Sequence, residues 1–95
     1  MDVKINAVNF KADEKLTDFV TEKVSKLERH ASGLLGAEVT LSIDKPESSN
    51  NKIADIRIVV KGNDLYASKQ ADSFEEAVML SIDSLKSQVS KFKDK

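Results

Sequence analysis

Cysteine and tryptophan are absent from this 95-residue chain, and it has no long apolar run. Without cysteine there can be no disulfide framework and no thiolate zinc site, so packing alone must hold the fold. The apolar runs are only a few residues long, far short of the roughly 20 needed to span a bilayer as a helix. The opening MDVKINAVNF alternates instead of forming a continuous apolar stretch, which argues against a signal peptide and makes a cytoplasmic location the default expectation. Three glycines and one proline leave no glycine-rich phosphate loop. An aromatic fraction of 5% supplies few rings for stacking on bases, so reading of single-stranded sequence is not expected. Neither sign of charge is in excess: 15 Lys and Arg against 16 Asp and Glu, net −1, counts against strong non-specific binding to polyanions while permitting a local basic face.

What is present is 40% apolar and 33% charged, with the two signs interspersed, which fits one globular domain over residues 1–95. Val3, Ile5 and Ala7 alternate with Lys4 and Asn6 as a half-buried strand does; Val8 and Phe10 break the parity, so the strand ends or bulges there. Asp13 offers an N-cap oxygen to a helix starting near Glu14, whose stripe is Leu16, Phe19, Val20, Val24 and Leu27. That helix is expected to run out at Ala31–Gly36, with Gly33 and Gly36 taking positive φ. Val39, Leu41 and Ile43 mark a second strand, and Lys45–Asn51 a polar loop. Ala54, Ile56, Ile58 and Val60 mark a third strand. After the Gly62-Asn63-Asp64 turn, Leu65 and Ala67 point inward on a fourth, with Tyr66, Ser68 and Gln70 outward. Ser73 and Glu76 form a capping box for a final helix with Phe74, Ala77, Val78, Ile82, Leu85, Val89 and Phe92 on one face.

The order is β-α-β-β-β-α, an α+β fold. The first crossover makes strands one and two parallel and right-handed, and strands two to four form an antiparallel meander, giving a four-stranded mixed sheet. Every strand alternates, so one sheet face is apolar and both helices must cover it. The other face, with Lys4, Thr40, Ser42, Arg57 and Tyr66, is left to water or a partner.

Chemistry-bearing groups are sparse. His30 is the only histidine, near the end of the first helix, and reads as a surface residue favoured by the helix dipole. The pairs Asp13/Glu14 and Glu75/Glu76 sit in first helical turns and are explained as caps and dipole partners. No metal-ligand spacing is present, and neither an enzyme nor a cofactor is expected. The basic residues say more. Lys23, Lys26 and Arg29 fall close together on the first helix. Lys23 lies inside the apolar stripe, so its stem must lie on the core while its amine emerges, through the groove between the helices. Lys86 and Lys93 share a face of the last helix, with Lys91 and Lys95 close by. By charge pattern alone these are ordinary solubilising residues at helix C-termini.

The segments TDFVTEKVSKLER at 17–29, IADIRIVV at 53–60, LYAS at 65–68 and SLKSQVSKFKDK at 84–95 together resemble the ribosome hibernation-promoting factor and YfiA family, also labelled the sigma-54 modulation protein family. The similarity runs the full length in order. It implies the fold just derived, related to double-stranded RNA-binding modules. It also implies a protein that docks on the small ribosomal subunit at the decoding channel, near the A and P sites, and that silences and protects idle ribosomes in stationary phase or stress. By that resemblance Lys23, Lys26, Lys91 and Lys93 match recurrent basic positions that contact ribosomal RNA. Arg29, Lys69 and Lys86 are added from local charge. Ser84 and Ser87 stand where relatives often have Lys or Arg, and Glu75 where many have Tyr; by the resemblance, losing those cations is expected to weaken phosphate contacts. Ser73 replaces a common aspartate and caps equally well. The chain resembles the short form, without the further C-terminal domain by which long members pair ribosomes, and is expected to be monomeric when free. A different class, a protein-interaction or transcription-regulatory module acting through the wet sheet face or an edge strand, is the alternative.

Overall fold

The computed structural model describes residues 1–30, 33–45, 47 and 49–93, with Phe92 and Lys93 by backbone alone. The elements are β1 (Asp2–Ala7), α1 (Glu14–Ser25) with a 3₁₀ turn (Lys26–Arg29), β2 (Leu34–Ile43), β3 (Lys52–Val60), β4 (Leu65–Ala71) and α2 (Phe74–Lys93). The expected β-α-β-β-β-α order and mixed sheet are therefore found. The sheet order is β1-β2-β3-β4, with β1 parallel to β2 and the other pairs antiparallel.

Strand alternation decides which residues are buried. Val39 and Leu41 of β2, Ala54, Ile56 and Ile58 of β3, and Ala67 and Ala71 of β4 all point under the helices. There they meet Val20, Val24 and Leu27 from the first helical segment and Ala77, Val78, Ile82 and Leu85 from α2. Ser81 is wholly buried among them because its hydroxyl donates to the Ala54 carbonyl at 3.1 Å, so the polar group enters the core with its partner.

Both N-caps form, but of the expected Ser73/Glu76 capping box only the Ser73 half is found: among the described residues the Ser73 N–H makes no bond back to the Glu76 carboxylate. Asp13 accepts from the Leu16 N–H at 2.8 Å and Ser73 from the Glu76 N–H at 3.1 Å. Asp13→Ala should lower stability by about 1 kcal/mol, read as a small shift of the urea midpoint with an unchanged slope. Val8 and Phe10 leave the strand pattern because Asn9, between them, takes φ 63°, the left-handed region that asparagine tolerates. That turn lets Phe10 stack on Phe74, ring centroids 4.7 Å apart, joining the starts of the two helical segments.

Two boundaries differ from expectation. The α-helix stops at Ser25 and tightens into the 3₁₀ turn, so Lys26 and Arg29 leave regular α spacing. Ala31 lies outside the described residues. Gly33 takes φ 88°, but Gly36 does not turn the chain: it lies within β2 at a register shift, where a Cβ would stand 3.3 Å from the Asp2 carbonyl oxygen. Its role is close strand approach rather than positive φ.

Candidate nucleic-acid interface

The topology fixes the direction of both helices. β1, β2 and β4 run the same way, and α1 carries the chain back from the end of β1 toward the start of β2. In α2, Ser81 touches Ala54 and the later Gln88 touches Tyr66, near the beginning of β4, so α2 runs antiparallel to β4. The two helices are thus parallel neighbours on one sheet face, and they touch.

Parallel packing has an electrostatic consequence. Each helical segment is net acidic in its first half and net basic in its second. Asp13, Glu14, Asp18 and Glu22 outnumber Lys15 before Lys23, Lys26 and Arg29, which outnumber Glu28; Asp72, Glu75, Glu76 and Asp83 precede Lys86 and Lys91. This order suits each helix dipole taken alone. Because the helices point the same way, it also collects both sets of cations at one end of the molecule. A chain of net charge −1 so acquires a basic end.

Two anchors set the rotation of the helices. On α2, Gln88 bonds Tyr66, so the flank carrying Gln88 faces the β4 edge. On the other segment Glu28 reaches the Met1 amino group at 3.2 Å, so that flank faces β1. At about 100° per residue Lys86 lies about 160° around α2 from Gln88, on the flank turned toward α1; counted at about 120° per residue through the 3₁₀ turn and about 100° within α1, Lys26 and Lys23 lie about 120° and 180° from Glu28, on the flank turned toward α2. Lys26 and Lys86 each stand thirteen residues beyond their N-caps, Asp13 and Ser73, and the Phe10–Phe74 stack joins the two helix starts, so both lysines fall near the same end of the groove.

Lys23 is half-buried, and its Nζ lies 5.6 Å from the centre of the Phe19 ring. Its aliphatic stem covers the core while the aromatic face holds the amine at the groove, as its place in the apolar stripe requires. Lys26 has Glu22 beside it at 3.5 Å, an exposed i,i+4 pair of small energetic weight that phosphate can displace.

The remaining expected site residues distribute unevenly. Arg29 is exposed in the 3₁₀ turn, at the same basic end. Lys91 shares that end but lies about 140° around α2 from Lys86, on the β4 side. Lys69 does not join them. It is level with Ser81, because Ala54 is its cross-strand neighbour, which places it about 15 Å along the axis from Lys91. The Lys93 side chain lies outside the described residues. A single ridge containing every cation is therefore not what the geometry provides: there is a groove of Lys23, Lys26 and Lys86, with Arg29 and Lys91 flanking it. Lys61, in the turn after β3, stands at the same end. Its position at this end follows from the strand order rather than from any local charge pattern.

The opposite sheet face differs in kind. Register aligns Lys4, Glu38, Arg57 and Tyr66 in one row across the four strands, alternating in charge. Arg57 lies 3.4 Å from Glu38 and 4.0 Å from Asp64, and Asp55 accepts from the hydroxyls of Tyr66 and Ser68. A shallow concavity of about 800 Å³ lies over this row. Its cations are matched by neighbouring acids, so it offers phosphate little net attraction. Among the described residues no three His, Asp or Glu side chains come together as a metal ion would need, and no helix is long and apolar enough to cross a membrane.

The family model described as "Sigma 54 modulation protein / S30EA ribosomal protein" matches residues 3–95. The chain is 32% identical to a ribosome hibernation promoting factor of Klebsiella oxytoca and 30% identical to that of Escherichia coli K12. In each case the match covers all of this chain and 96% of the relative. Its fold superposes on the N-terminal domain of Thermus thermophilus Protein Y with a TM-score of 0.84 and 25% identity, over 97% of this chain and 99% of that one. A ribosomal subunit interface protein from Coxiella burnetii shares the fold at the same TM-score and 21% identity, with both chains fully covered.

Proposed function

Because the chain belongs to the Sigma 54 modulation protein / S30EA ribosomal protein family, we propose that it is a ribosome hibernation factor whose basic end docks on structured RNA of the small subunit near the decoding channel. The observation that carries this reading is the parallel pairing of two helical segments that are both basic in their second halves. It gathers scattered lysines into one site on a molecule of net charge −1. The names of the relatives, ribosome hibernation promoting factors, support the same partner.

The mechanism is occupancy. Ammonium and guanidinium groups displace condensed counterions from phosphates, and a rigid domain fills space that messenger and transfer RNA require. Double-stranded RNA is read through phosphate positions and groove shape, which suits lysines on helices and needs no aromatic platform. Idle ribosomes in stationary phase or stress, in the cytoplasm, are the setting this mechanism fits.

The test is co-sedimentation with separated small and large ribosomal subunits at increasing salt. With the five cations of the two helical segments each contacting a phosphate, the slope of log K against log salt should approach −3.5 to −4.5, a loss of affinity of a few hundredfold between ~50 and 200 mM. Binding should be to the small subunit. Pelleting with the large subunit alone would remove the proposed docking site. Salt-insensitive binding to a protein partner such as a sigma factor, with none to ribosomes, would favour the regulatory-module reading.

A further inference from the structure

Gln88 makes a contact that neither core packing nor RNA binding requires. Its Oε1 accepts from the Tyr66 N–H at 3.3 Å and its Nε2 donates to the Tyr66 carbonyl at 2.8 Å. β4 is an edge strand, so these main-chain groups face away from the sheet, and the side-chain amide takes the place of a neighbouring strand. Both bonds link one residue of α2 to one residue of β4. The contact therefore fixes where the helix sits along the strand and how far it is rolled about its own axis.

We propose that Gln88 is a positioning residue for Lys91, holding the last turns of α2 in the one rotation that presents this lysine to phosphate; this rests on the RNA-docking reading above. Lys91 follows Gln88 by three residues, so both project from the same flank of the helix. Val89 is the last residue of α2 known to be buried, and apolar contact is non-directional: it resists separation of the helix from the sheet more than it resists roll. Roll matters here. A lysine amine stands about 9 Å from the helix axis, so a 20° rotation displaces it by about 3 Å, the length of a whole hydrogen bond. The amide clamp removes that freedom without contributing charge. It explains why a helix whose second half is polar on three sides needs a directional tie to the sheet near its end.

The experiment compares Gln88→Leu, which keeps bulk and loses both bonds, with the wild type, each in the presence and absence of Lys91→Ala. Amide hydrogen exchange should show the Tyr66 N–H, and the α2 amides from Val89 onward, exchanging roughly tenfold faster in the variant. Binding to small ribosomal subunits should weaken roughly threefold to tenfold when Lys91 is present, and change by less than about twofold on the Lys91→Ala background. Equal losses on both backgrounds would show a merely structural role and overturn the inference, as would unchanged exchange after Val89. Should the leucine variant fail to fold, Gln88→Met makes the same comparison. A wild-type protein that does not bind subunits overturns the docking reading itself, whereas normal wild-type binding with equal losses overturns the positioning role alone.

Discussion

The triple variant Lys23→Glu, Lys26→Glu, Lys86→Glu is expected to lose ribosome binding by about 10²–10³-fold at ~0.1 M salt while remaining folded. Each phosphate contact contributes a counterion-release factor somewhat under ten at that salt, and three are removed together. Reversal adds repulsion, so the figure is a lower bound. The salt slope should also flatten by about 2–3, which distinguishes lost phosphate contacts from a general loss of structure. Folding should survive because none of the three amines has a buried partner. Lys26 and Glu22 form an exposed pair, Lys23 contributes its stem and a ring contact, and Lys86 is exposed. The matched control reverses two cations on the other sheet face, Lys4→Glu and Arg57→Glu, and should alter binding by no more than about twofold, since Arg57 is already engaged by Glu38 and Asp64. If the control weakens binding as much as the triple variant, the groove is not the site.

How far this site could be read in the sequence depends on the kind of information each part needs. Strand parity and helix stripe are local: Ile56 and Ile58 alternate with Arg57, and Leu27 follows Val20 and Val24 at helical spacing, so faces and core followed from the residue order. Caps are local as well, and Asp13 and Ser73 bond as their positions suggest. The parallel course of the two helices is a property of strand order and direction, and it decides whether basic C-termini gather or separate. Lys69 illustrates the limit. In sequence it is another lysine near Tyr66. In the sheet it is paired with Ala54 and level with the middle of α2, away from the basic end. The Gln88 clamp had no local signal either, because a glutamine on a helix flank reads as solvated until an edge strand is known to lie beside it. The early end of α1 is similar: the pattern through Leu27 continues, and only the turn from α to 3₁₀ spacing shows that Arg29 sits outside the stripe's geometry.

Stability and binding should separate in the opposite sense at Ile56. This side chain is fully buried in β3, between Val39 and Ala67 in register and beneath α2. Truncation to alanine removes three carbons from the centre of the core, and the sheet cannot close the space without shifting strands held by ladders on both sides. The expected loss is about 2–5 kcal/mol, from transfer free energy and the residual cavity together. A domain of this size has a total stability of about 5–15 kcal/mol, so Ile56→Ala removes a large share of it. At roughly 4–8 °C per kcal/mol, Tm should fall by about 10–30 °C in a calorimetric or circular-dichroism melt. Below that lowered Tm the basic end is unaltered, because Ile56 lies on the inner face and touches none of its cations. Ribosome binding at low temperature should then stay within about twofold of wild type, with the salt slope unchanged. A loss of under about 1 kcal/mol would mean that the centre of the sheet relaxes around the missing atoms and is not the rigid layer that holds the two helices parallel.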